Sequence, residues 1–252
     1  MLRNLSALEG FPIRSLDGEI GLAVDTYFDD YTWTVRYLVV DTGKWLPGRK
    51  VLVSPFAVRA IVWQPRHIDV GLTREHVKGS PEVDTEKPVS RQHESAYFDY
   101  FGYPYYWGGS YRWGPAPFPY EFAADYRSTV TDGDGQQHDS DAHLRSTKAV
   151  IGYHLEAAGG SIGHVEDFIF DEKDWSLRFL IVDTRNWLPG RHVLIPVHRV
   201  SGVSWDDRVV RVDMRRNAIR GAPEWQPDLM PAPGYEAYLR RRAEKPRPGH
   251  DA

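Results

Sequence analysis

The chain has 252 residues, 41% of them apolar and 26% charged, and a formal net charge of -4. That composition excludes a fibrous or wholly disordered chain, and the length suits two small domains that each bury their own core. The absence of cysteine excludes disulfides, thiolate nucleophiles and iron–sulfur ligation, and the acidic balance argues against a nucleic-acid partner, which needs a basic surface.

The opening stretch MLRNLSALEG has neither the basic start nor the apolar core of a signal peptide, and no apolar run approaches the roughly 20 residues that span a bilayer. A cytoplasmic location is therefore expected. From Gly10 onward the chain repeats itself at an offset of 142 positions, without a gap from Gly10/Gly152 to Glu82/Glu224. Shared positions include Gly18/Gly160, Gly21/Gly163, Asp25/Asp167, Trp33/Trp175, Asp41/Asp183, Trp45/Trp187 and Arg49/Arg191.

Within each copy, short apolar runs such as IGLAVDTYFD, TVRYLVVD, KVLVSP, VRAIVW and HIDVGL alternate with DG, DDYT, GKWLPGR and QP, the pattern of β-strands joined by tight turns. Gly18 and its counterpart Gly160 sit where a hairpin needs positive φ, Pro47-Gly48 and Pro189-Gly190 fit the centre of a type II turn, and Gly21 and Gly163 mark places where a strand can bulge. Five or six strands in so few residues predict a small closed or nearly closed β-barrel. In VRYLVV both alternating faces are apolar, so the outside of each barrel must also be covered. TREHVKG, RRNAIRG and the C-terminal GYEAYLRRRAE are expected to be helices that contribute to this cover. The expected fold is mainly β: two small barrels in tandem, arranged as a pseudo-twofold pair. The expected organisation is copy 1 over 1–83, an aromatic and acidic linker over 84–143, copy 2 over 144–225, and a helix with a basic tail over 226–252.

Chemistry is sought first at Gly159-Gly160-Ser161-Ile162-Gly163, which has the spacing of a nucleophile elbow. Its twin Asp17-Gly18-Glu19-Ile20-Gly21 carries glutamate in place of the serine and joins strand to strand, so no nucleophile is expected. Asp132, Asp134, Asp139 and Asp141 resemble a calcium loop, but Gln137 and His143 stand where an EF-hand needs glycine and glutamate, and the stretch reads as an acidic linker. The histidines show no zinc-like spacing. No cofactor, metal or catalytic residue is expected. Asp41 with Arg49, and Asp183 with Arg191, flank the turn that carries Trp45 and Trp187. The expected role is structural, the carboxylate accepting turn amides or pinning the guanidinium; the functional alternative is a docking surface repeated in both copies.

Residues 97–126 hold 14 aromatic side chains in 30 positions, with Tyr103, Tyr105, Tyr106, Trp107 and Trp113 at their centre. With only Arg112 within the stretch and Arg127 next to it, base stacking in a basic groove is disfavoured. Two readings remain open: a protein-contact or self-association surface, and a clamp over the outer apolar faces of the barrels. Arg240, Arg241, Arg242, Lys245 and Arg247 in the tail admit an anionic lipid surface as an alternative partner, set against an ordinary helix end.

The stretches GEIGLAVDTYFDDYTWTVRYLVVDTGKWLPGRKVLVSP and GSIGHVEDFIFDEKDWSLRFLIVDTRNWLPGRHVLIP resemble the PRC-barrel family, found in the cytoplasmic part of the photosynthetic reaction-centre H subunit, in a ribosome-maturation factor and in stand-alone bacterial proteins. The resemblance is closest to the stand-alone members. It implies a small β-barrel used for assembly and protein contact, with no catalytic motif to carry over. The expected function is a non-enzymatic scaffold or adaptor with a protein partner, capable of homo-oligomerisation. Peripheral service to a membrane electron-transfer complex and an enzyme with an unrecognised site are the alternatives.

Overall fold

The computed structural model describes residues 1–83, 89–121, 144–184, 190–227 and 232–243. It is mainly β, with two seven-stranded sheets. Two compact units emerge, and their borders differ from the repeat borders: one comprises residues 8–147 with 173–175, the other residues 1–7, 148–172 and 176–252.

The first-copy unit is built on β2 (Pro12–Ser15), β3 (Gly18–Asp29), β4 (Thr34–Asp41), β5 (Lys50–Val53), β6 (Val58–Trp63), β7 (Arg66–Val70) and β8 (Leu144–Ser146), paired in the order β5-β4-β3-β2-β7-β6 with β8 added to β3. All neighbours are antiparallel except β2 and β7, which run parallel. The path leaves β5 and β6 at opposite ends, so no ladder among the described strands closes the barrel. The second-copy unit repeats this plan with β1 (Leu2–Asn4), β9 (His154–Ala158), β10 (Gly160–Asp171), β11 (Leu177–Asp183), β12 (His192–Pro196), β13 (Val200–Ser204) and β14 (Val209–Arg215), in the order β12-β11-β10-β9-β14-β13 with β1 added to β10.

The long strands bend at matching places. Register shifts fall between Ala23 and Asp25 in β3 and between Val165 and Asp167 in β10, each a bulge that turns the following aspartate. Gly21 and Gly163 lie where the neighbouring strand passes too close for a side chain. A Cβ on Gly163 would stand 1.9 Å from the Asp183 carbonyl oxygen, and one on Gly21 would stand 2.1 Å from that of Asp41. At the tip of each long hairpin a tryptophan takes the left-handed backbone, Trp33 at φ 53° and Trp175 at φ 58°, a conformation that costs an L-residue about 1 kcal/mol. Trp33 recovers contact by stacking on Phe28, ring centroids 5.3 Å apart.

β4 is buried along all but its last residue, as a strand apolar on both faces requires, and its outer face needs a lid. Here the lid is α2 (Arg91–Phe101), a helix inside the stretch expected to be a linker. Ser90 caps its start by accepting from His93 N–H, and Gly102, left-handed at φ 66°, ends it. Glu94, Tyr97 and Phe98, one helical turn apart, form its buried face. In the second-copy unit the lid is α5 (Pro233–Ala243), whose Leu239 joins Leu2, Ile169, Phe179, Ile181 and Leu194 in one apolar cluster rimmed by Trp225, Tyr235 and Tyr238. Two further expected helices form as α1 (Arg74–Gly79) and α4 (Arg216–Arg220).

The outer edges are finished differently. Beside β12, Leu194 N–H donates to the Pro223 carbonyl and Trp225 N–H to the His192 carbonyl. Beside β5, the Tyr97 phenol donates to the Leu52 carbonyl and accepts from Ser54 N–H. The position equivalent to Ser54 is Pro196, which has no N–H to satisfy.

Candidate protein-contact site

The repeated turn is held by backbone. Arg49 N–H donates to the Leu46 carbonyl around Pro47-Gly48, with Gly48 at φ 75°, as a type II turn demands. Thr42 Oγ donates to the carbonyls of Leu46 and Arg49, and Thr184 Oγ to that of Arg191. Asp41 accepts from Gly43 N–H at 2.8 Å. The guanidinium of Arg49 turns elsewhere, to the carbonyls of Lys78 and Ser80 at the end of α1, and Arg191 reaches the equivalent Arg220 carbonyl at the end of α4. Orphan carbonyls at a helix C-terminus are natural targets for a cation. Trp45 lies under the Arg74 guanidinium, 4.7 Å from the ring centroid. Asp183 is buried beside His164, at 3.7 Å; Trp187 lies outside the described residues.

The aromatic segment is ordered around a buried charge. Arg36 is 1% exposed in the middle of β4. Its guanidinium pairs with Asp29 at 3.1 Å, donates to the Arg112 carbonyl, and lies between the rings of Tyr106 (3.7 Å to the centroid) and Trp113 (4.9 Å). Burial alone would raise the Asp29 carboxyl, but Arg36 and the Thr32 N–H and hydroxyl outweigh it and hold the group below its ordinary range. Glu94, wholly buried on α2, accepts from the phenols of Tyr106 (2.8 Å) and Tyr37 (3.3 Å) and pairs with Arg91 (3.0 Å). Burial first, and then the Glu94 charge, push the phenols of Tyr37 and Tyr106 well above their usual value. Trp113 is fully buried and donates from Nε1 to the Asp174 carbonyl; Tyr103 stacks on Phe101 and Phe56.

Other rings in the same segment face solvent. Tyr100 is 44% exposed, Tyr105 37% and Tyr111 57%, and the side chains of the first two are tied down. Tyr100 Oη donates to the His76 carbonyl, Tyr105 Oη to Asp99 at 2.6 Å, and the Tyr105 ring stacks on Trp107 at 4.8 Å. Tyr111 belongs to a tight loop bonded in both directions with Gly114. The segment is thus divided between buried rings that brace it and exposed rings, of which Tyr100 and Tyr105 are bonded to the frame through their hydroxyls. Among the candidate residues, Tyr106 and Trp113 meet at Arg36, while Asp41 and Arg49 are directed to different partners. Sequence reading missed Arg36, Asp29 and Glu94; an arginine inside an otherwise apolar strand is the signal that a buried counter-charge had to exist.

Elsewhere, strand pairing sets His154, His164, Asp183 and His192 opposite one another across β9 to β12, but no group of three or more such side chains among the described residues could hold a metal ion. In the tail, Arg240 is committed to Asp171 (2.6 Å) and Glu236 (2.7 Å), while Lys245 and Arg247 lie outside the described residues, as does the acidic stretch from Asp132 to Asp141. No helix among the described residues is long and apolar enough to cross a membrane.

The chain is thus a pair of mainly-β units of the same strand plan, the first of which carries the aromatic segment. The family model of the PRC-barrel domain matches residues 155–217, wholly within the second copy. No curated protein matches the chain.

Proposed function

We propose that this chain is a tandem PRC-barrel protein acting as a non-enzymatic cytoplasmic scaffold or adaptor that binds a protein through Tyr100, Tyr105 and Tyr111. The observation that carries this reading is the division of the aromatic segment. Exposed phenols fixed on a rigid frame offer large contact area and a hydrogen-bonding tip, with little side-chain entropy left to lose on binding. The PRC-barrel match in the second copy supports the scaffold class. Asp41 and Arg49 bond backbone groups of their own unit, which favours the aromatic surface as the contact candidate.

The test replaces Tyr100, Tyr105 and Tyr111 together by alanine and compares proteins co-purified from native lysate. Loss of a co-purifying protein with an unchanged melting temperature is expected. Retention of the same set of proteins by the triple variant overturns the assignment of the surface.

A further inference from the structure

Two strands, β1 and β8, stand apart from the meander of the sheets. β1 pairs with β10 through Leu2↔Asp171, Arg3↔Phe170 and Asn4↔Ile169. β8 pairs with β3 through Leu144↔Asp29, Arg145↔Phe28 and Ser146↔Tyr27. Shifted by 142 positions the two registers are identical, so the repeat extends upstream of Gly10 into short arms reading Leu-Arg-Asn and Leu-Arg-Ser. Each arm therefore lies on the long strand of the other repeat, 161 to 170 residues away in the chain for the first arm and 115 to 122 for the second.

The slots that receive them offer the same chemistry. The leucine is buried, at 0% exposure for Leu2 and 4% for Leu144. The arginine meets an acid at the hairpin end, Arg3 with Glu172 at 2.9 Å and Arg145 with Asp30 at 3.2 Å. The next side chain bonds the aspartate turned by the bulge, Asn4 with Asp167 at 3.0 Å and Ser146 with Asp25 at 2.6 Å. A second hook follows each time, Ser6 on Asp167 and Thr147 on Asp25. Main-chain pairing supplies affinity in such an arrangement, and the side-chain holes supply selectivity.

The two slots thus present closely similar chemistry, and the tether fixes which arm reaches which slot within one chain. We propose that the slot along Phe168–Asp171 is an exchangeable docking site for a second copy of this chain, which inserts its own Leu2–Ser6 arm there. Exchange breaks and remakes the same contacts, so its cost is mainly that of bringing two chains together, and it rises with concentration. Because each copy gives one arm and receives one, the product closes as a symmetric dimer.

The chain has no cysteine, which makes a crosslinking test clean. Arg3 and Glu172 are both partly exposed, and a partly exposed ion pair contributes little to stability. Chains carrying R3C alone and chains carrying E172C alone are mixed at high concentration, incubated, and treated with a short bis-maleimide; the doubly substituted chain is treated in parallel. The expected result is a covalent dimer joined between positions 3 and 172, several-fold in excess of what random collision gives relative to the 3–3 and 172–172 products, with the excess disappearing when the chains are mixed only after dilution. The doubly substituted chain is expected to link within itself at low concentration. If it does so while the mixture gives only the random distribution, the arm does not exchange and the proposal fails. If the double variant does not link internally, the arm does not lie on β10 and the proposal fails with it.

Discussion

The buried Arg36–Asp29 pair anchors the chemistry of the first-copy unit. Removing one partner from the Arg36–Asp29 pair leaves the other ionised and desolvated, so Asp29→Asn is expected to lower stability by about 3 kcal/mol, measured by urea unfolding at neutral pH. The sign of the pH dependence follows from the depressed carboxyl. Asp29 stabilises the fold fully above the ordinary aspartate pKa and loses that contribution as pH falls through its depressed folded value, so the gap between wild type and Asp29→Asn narrows on acidification. Asp167 behaves oppositely. Burial raises it despite the bonds from Ser6, Phe168 N–H and Asn4, so its contribution is present below the ordinary aspartate pKa and is lost as pH rises through the raised value. Arg49 gives a second residue-scale expectation. It holds two helix-end carbonyls where Arg191 holds one together with an exposed ion pair to Glu224, and an exposed pair contributes little, so Arg49→Ala should cost about 1 kcal/mol and more than Arg191→Ala. A melting temperature unchanged by Arg49→Ala, together with lost partner capture, would return the turn to the list of docking surfaces.

Among the elements, α2 concentrates what the sequence concealed. Strands β3 to β7 and β10 to β14 are legible because alternation, turn residues and duplication all point the same way. The same holds for α1, whose Thr73 caps it as the pattern TREHVKG suggests. α2 escaped because its sequence RQHESAYFDYF sits before a Gly- and Pro-rich aromatic run that reads as coil, although Ser90 and Gly102 carried the start and stop signals. The partners of Arg49 were equally hidden, since the carbonyls of Lys78 and Ser80 become targets only when the turn and α1 come together in space. The bridge by Tyr97 is the sharpest consequence of α2. Tyr97→Phe keeps the ring but strips the Leu52 carbonyl and Ser54 N–H of their shared partner at a buried edge, a loss of about 1–3 kcal/mol. Joining it to Ser54→Pro, the residue the second copy uses, removes one of the two orphaned groups and is expected to recover part of the loss in thermal melts.

At the scale of the molecule, duplication set two sheets the same problem and they answered it with different material. The outer face of β4 and β5 is sealed by α2 through a polar and aromatic network in which Tyr37 needs Glu94. The equivalent of Tyr37 is Phe179, which needs no acceptor, and the face of β11 and β12 is sealed mainly by the apolar contacts of Leu239 and Leu2, with Arg240 of α5 tied to Asp171. Each unit therefore owns its lid, and damage to one lid should remain in its own unit. Leu239→Ala opens a cavity in the second-copy cluster worth about 2–5 kcal/mol. Amide hydrogen exchange should then show β11 and β12 losing protection while β4 and β5 keep theirs. Leu2 touches the same cluster, so Leu2→Ala combined with Leu239→Ala should cost less than the sum of the two single changes, because the second truncation enlarges a space already opened. Equal loss of protection in both sheets after Leu239→Ala would mean that the two units open together, and separate lids would then no longer account for the stability of either.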